Sequence, residues 1–132
     1  MNNYNFNKCD FIQNDITNLY DSYAGYIRGN MFPDLYNTYK INKPFEIVPM
    51  NKQAEELTYI NALCFACTDL NLYLDIFSNN KELSNLFKQY EEEKERAVKD
   101  YEKKYGPLCV ASSVNNENEW KWNQNPWPWE NK

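Results

Sequence analysis

The chain has 132 residues, enough for one domain at most, and a formal net charge of −5. That charge divides as −1 over residues 1–51, −3 over 52–105 and −1 over 106–132, so no segment offers the basic face that nucleic-acid binding needs to displace counterions. Mean hydropathy is −0.86, and no apolar run approaches the ~20 residues of a membrane span.

Aromatic residues make up 17% of the chain, with 11 Tyr, 7 Phe and 4 Trp. Part of this Tyr- and Asn-rich bias is what an AT-rich genome encodes. The first residues lack the basic start and apolar core of a secretory signal, so the expectation is a soluble protein made in a cytoplasm. Residues 1–22 are polar, with Phe6, Phe11, Ile12, Ile16 and Leu19 interspersed. Phe11, Asp15, Ile16 and Leu19 allow a short amphipathic turn, but Asn and Asp favour turns over helix interiors. This part is expected to be poorly ordered in isolation.

Residues 23–50 are punctuated by Gly and Pro, and each Pro biases the residue before it towards extended geometry. An extended strap is predicted, carrying Tyr26, Met31, Phe32, Leu35, Tyr36, Tyr39 and Phe45. It is too apolar to stay solvated and too short to build a core. It therefore packs along the chain's own helices or docks on a partner.

Residues 52–105 read as two long helices. Ile60, Leu63, Cys67, Leu70, Leu74 and Phe77 follow steps of 3, 4, 3, 4 and 3, which keeps them on one stripe. Leu83, Phe87, Tyr90, Lys94, Ala97 and Tyr101 form the second stripe. Asn79 with Glu82 reads as a capping box opening the second helix, and Tyr105-Gly106-Pro107 closes it. So short a turn forces the helices antiparallel. The predicted fold is all-α: one antiparallel helical hairpin, about 52–77 and 80–105, with extended N- and C-terminal arms. A two-helix hairpin is marginal alone, so its core is completed by the arms or by a partner.

Cys64-Phe65-Ala66-Cys67 invites a metal or redox reading. One zinc site needs four ligands, and the chain has no His and only two other cysteines, Cys9 and Cys109. A redox dithiol sits at a helix N-terminus, whereas this pair falls mid-helix. Cys64 and Cys67 read as small core residues, with cross-linking under oxidising conditions as their other use. Asp69 and Asp75 are six residues apart, about 600° in helical rotation, and do not share a face. They read as exposed charges or as hydrogen-bond acceptors inside the hairpin. Glu92 with Arg96, Glu95 with Lys99 and Asp100 with Lys104 support a solvated helix face. No phosphate-cradling loop, nucleophile elbow or zincin motif occurs. Catalytic residues: none; metal: none; cofactors: none.

The tail is the sharpest feature. After a polar stretch at 112–119 come Trp120-Lys121-Trp122 and Pro126-Trp127-Pro128-Trp129-Glu130. Alternating prolines predict an extended, polyproline-like run that presents Trp rings at little entropic cost. Trp120, Trp122, Trp127 and Trp129 are candidate partner-binding residues, with Phe32, Leu35 and Tyr36 next. Packing on the chain's own hairpin is the competing use of the same rings.

Three strings together carry a family resemblance: Asp69-Leu70-Asn71-Leu72-Tyr73-Leu74-Asp75, Tyr101-Glu102-Lys103-Lys104-Tyr105-Gly106-Pro107 and Pro126-Trp127-Pro128-Trp129-Glu130. In their order and spacing, residues 52–132 resemble the CotJB family of spore-coat proteins. Gly29 to Tyr39, within residues 23–45, resembles the companion CotJA family, although Thr38 stands where Pro is frequent. The chain thus resembles a fusion, with an arm over 1–50 and a CotJB-like part over 51–132. The resemblance implies a non-enzymatic component of the endospore coat, made in the mother-cell cytoplasm. It also implies other coat proteins as partners, among them one similar to manganese catalases. A helical adaptor outside any spore and a Cys64/Cys67 dithiol protein are the alternatives.

Overall fold

The computed structural model describes residues 18–35, 43–115, 119–124 and 127–130. Phe6, Phe11, Ile12, Ile16, Tyr36 and Tyr39 lie outside them. Among the described residues three α-helices are formed: α1 (Ser22–Arg28), α2 (Lys52–Ile76) and α3 (Lys81–Tyr105). Short 3-10 turns occur at Pro33–Leu35, Ser113–Asn115 and Pro128–Glu130. Among the described residues there are no strands, and α2 and α3 form the expected antiparallel hairpin.

Capping fixes the ends of the hairpin helices. Asn51 accepts a hydrogen bond from Ala54 N–H at 2.8 Å and starts α2. The turn before α3 departs from expectation by one residue. Asn80, not Asn79, is the N-cap, accepting from Leu83 N–H at 3.1 Å. This places Leu83 rather than Glu82 at the third helical position, so no capping box forms.

The strap is not uniformly extended, because residues 22–28 are helical. Two local signals outweigh the Gly content. Asp21 accepts from Ala24 N–H at 2.8 Å, and Gly29, with φ 71°, caps the other end in the left-handed conformation. Gly25 is a packing residue rather than a breaker. A Cβ there would collide with Met31 Sδ, so its bareness lets the returning chain fold over α1.

The core explains why α2 is the central element. Ile60, Leu63, Cys67 and Leu70 on the predicted stripe are buried, and so are Ala62, Ala66 and Tyr73 beside it. That wider face is needed because α2 packs against both α3 and α1. Met31, Phe32, Ala66, Leu70, Tyr73 and Leu83 form one buried cluster, with Leu19, Leu35, Phe77, Phe87 and Tyr90 partly buried around it. Phe32 stacks on Tyr73 at 4.8 Å between ring centroids, and Tyr73 meets Phe77 at 4.6 Å. Burying Met31 and Phe32 is worth roughly 1.5–3 kcal/mol each.

One polar contact registers the strap on the hairpin. Asp69 Oδ2 accepts from Met31 N–H at 2.9 Å. Its partner is therefore the strap, not a group within the hairpin. Asn30 Oδ1 accepts from Phe32 N–H, and Met31 O accepts from Tyr20 N–H. Replacing Asp69 by Leu preserves bulk but orphans a buried N–H. Asp69→Leu is expected to lower unfolding free energy by about 1–3 kcal/mol in urea titrations. Unchanged stability would show that the contact contributes nothing.

Candidate functional site

The far end of the hairpin is built by the close of α3. Tyr101 is buried, and its hydroxyl accepts from Gln53 Nε2 on α2 at 3.1 Å. Tyr105 packs on Tyr101 at 4.9 Å. Lys104 pairs with Glu56 across the hairpin at 2.9 Å, rather than supporting α3 alone through Asp100. Gly106 ends the helix, and the buried Glu102 carboxylate reaches past it to accept from Leu108 N–H at 2.9 Å. The chain then turns through a small loop in which Asn115 Nδ2 donates to Cys109 O and Val110 O.

On this end the Trp residues fold into a cluster. Trp127 and Trp129 stack at 5.0 Å, and Trp122 meets Trp127 edge-on at 4.8 Å. The expected polyproline-like run is replaced by a 3-10 turn over Pro128–Glu130. The sequence supplies the means. Pro128 occupies the first position of the turn, where a missing N–H costs nothing. Glu130 Oε2 reaches back to Trp127 N–H at 2.9 Å, while Glu130 N–H donates to Trp127 O at 2.9 Å. The side-chain bond is the return half of a capping box. The two rings share a side because the turn closes on itself, not because the chain is extended.

The cluster and the helix ends enclose an open cavity of about 240 Å³, lined by Gln53, Tyr101, Tyr105, Lys121, Trp122 and Trp127 among others. Trp122 and Trp127 face inwards on the chain itself. Trp129 is 70% exposed and Trp120 48% exposed. Of the strap candidates, Phe32 is buried in the chain's own core, Leu35 is partly buried beside it and Tyr36 lies outside the described residues. The arrangement brings three of the four Trp side chains into one cluster and keeps Phe32 and Leu35 with the core around Tyr73.

The CotJB protein family model matches residues 54–130, which span the hairpin and the Trp cluster. The chain belongs to the CotJB family. No curated protein and no solved structure matches it. Membership suggests a spore coat protein. The three strings now have physical roles in this CotJB chain. In the first, Asp69 holds the strap while Leu70 and Tyr73 are buried under it. In the second, Tyr101 and Glu102 seal the hairpin end. In the third, Glu130 closes the turn that stacks Trp127 on Trp129.

Among the described residues, no group of three His, Cys, Asp or Glu is placed to hold a metal ion, and no helix is long and apolar enough to cross a membrane. Cys64 is exposed and Cys67 buried, both as free thiols. Burial pushes the Cys64 thiol up. Burial, followed by the hydrogen bond the thiol donates to the Glu91 carboxylate, pushes Cys67 up to about 12. Glu91 itself is held below the usual carboxylate range by its hydrogen bond with Lys94. Raised thiols run opposite to what dithiol chemistry requires.

A raised thiol favours the neutral form in the folded chain. The stability it carries is present below the unfolded thiol value of ~8.5 and is lost as pH rises above it. Unfolding free energy is therefore expected to fall between about pH 8.5 and 12, and to fall less in Cys67→Ala. Urea titrations across that range check the difference, and equal slopes would contradict the burial of Cys67.

Proposed function

We propose that the chain is a non-enzymatic structural and interaction component of the bacterial endospore coat. In this reading it is made in the mother-cell cytoplasm and assembles with companion coat proteins, including one similar to manganese catalases. The observation that carries it is the Trp cluster. It is prefolded, so docking costs little conformational entropy. It keeps Trp129 outwards while Trp122 and Trp127 brace it, and Trp120 stands exposed near them in sequence. Large aromatic anchors on a rigid base are what protein interfaces concentrate their binding energy in. The absence of a catalytic set in the sequence and the raised thiols support a role without turnover.

The arm over 1–50, with its CotJA-like part, serves in this reading as a built-in companion segment. Its Met31 and Phe32 complete the hairpin core, so Phe32 and Leu35 hold the fold rather than meet a second protein. The docking residues are then Trp120 and Trp129. Cys64 is the more accessible of the two cysteines for covalent cross-linking in a mature coat.

Co-expression with the catalase-like companion tests this. The wild type is expected to co-purify with it, and Trp120→Ala/Trp129→Ala is expected to stay folded by circular dichroism yet lose most of the companion. Equal recovery of both would remove the cluster as the docking element. Recovery of neither would remove the partnership.

A further inference from the structure

The cavity at the far end of the hairpin collects groups that neither the fold nor docking through Trp129 uses. Four rings line it: Tyr101 and Tyr105 from the close of α3, and Trp122 and Trp127 from the tail. Trp122 and Trp127 meet edge-on rather than face to face, and both stay half-buried on the cavity rather than sealed. The chain carries a net charge of −5. The lining runs against that charge, with three lysines, Lys103, Lys104 and Lys121, to one carboxylate, Glu102. Most of the other polar groups on the lining are engaged within the chain. Gln53 Nε2 donates to Tyr101 Oη, Gln124 Nε2 to Glu119 and Lys104 Nζ to Glu56, while Glu102 accepts from Leu108 N–H. Among the described residues, Lys103 and Lys121 have no ion-pair partner. Lys103 also suits the last turn of α3, where a cation offsets the helix dipole. Lys121 has no such reason to be there, since it comes from a stretch of the tail outside any helix.

We propose that this cavity binds a small planar aromatic carboxylate, with its ring among the Tyr and Trp side chains and its carboxylate on Lys103 and Lys121. The ligand class follows from the groups left uncommitted. The rings offer stacking and edge contacts to another planar ring. The two ammonium groups offer charge-assisted donors and no acceptor. A neutral polyol needs acceptors as well as donors, and a cationic ligand would meet two like charges. Size narrows the class further. Drug-sized ligands occupy cavities of roughly 300–1,000 Å³, so a volume of about 240 Å³ restricts the occupant to one or two rings.

Heteronuclear NMR of the full chain tests this, following the indole N–H signals of the tryptophans during titration with benzoate and with naphthoate. At least one of the two is expected to shift Trp122 and Trp127 saturably while the exposed Trp120 stays in place. Benzamide and naphthamide keep the ring without the charge, and cyclohexanecarboxylate keeps the charge without the aromatic ring. These are expected to bind about tenfold more weakly than the matching carboxylate. Lys103→Gln/Lys121→Gln is expected to leave the helical circular dichroism spectrum unchanged and to weaken carboxylate binding by about tenfold, with amide binding unaltered. The absence of a saturable shift with either carboxylate would overturn the site. Equal binding of acid and amide, or an unchanged affinity in the double variant, would overturn the recognition by Lys103 and Lys121. Drift of all four indole signals without saturation would show adsorption to exposed rings and would likewise contradict it. The titration uses the chain alone, so its outcome does not depend on docking of Trp120 and Trp129 to a coat protein.

Discussion

The fold depends on covering α2 on two sides. A hairpin gives it one neighbour, α3, and leaves Ala66 and Tyr73 beside the seam. Those residues would sit at an apolar edge in water unless a third layer covered them. The strap is that layer. It brings Met31 and Phe32, two of the buried residues of the central cluster, from outside the helices. Burial drives the contact, while Asp69 and Met31 N–H set its register. One directional bond on a non-directional surface lets a Gly- and Pro-broken segment adopt a single placement.

Regular periodicity made the hairpin legible. Two stripes, a short turn and a Gly-Pro stop set α2 and α3 almost to the residue. The same logic understated the buried face of α2. A stripe of 3 and 4 steps finds the side facing one partner, and Ala66 is too small and Tyr73 too polar to announce a second. The strap was legible as apolar and unable to stand alone, but α1 was not. Seven residues with a Gly in the middle give no helical signal, and it is Asp21 and Gly29 at the ends that make them a helix. Asp21-Ser22 and Arg28-Gly29 were the signals available.

The Trp tail shows the opposite failure. Alternating Pro and Trp suggest an extended run, and their spacing does not announce the part Glu130 takes. Its carboxylate bonds backward to Trp127 N–H, and that converts the run into a stacked turn. Pro128, a breaker within a helix, suits the first position of a turn. Glu102 has the same kind of role at the close of α3, where a buried carboxylate satisfies the N–H of Leu108. In both places an acidic residue that reads as surface charge is spent on the backbone, and an aromatic surface is held still as a result. That stiffness is what the proposed docking through Trp129 would use, while Phe32 and Leu35 belong to the layer on α2.

The central claim is that strap and hairpin form one cooperative unit. Amide-resolved hydrogen exchange on the full chain tests it most directly. The account predicts that Tyr20 and Met31 N–H, which bond to Met31 O and Asp69, exchange with the same opening free energy as the buried α2 amides near Ala66 and Leu70. Fast exchange of Tyr20 and Met31 over a protected α2 would contradict it, and would leave the hairpin stable without its third layer.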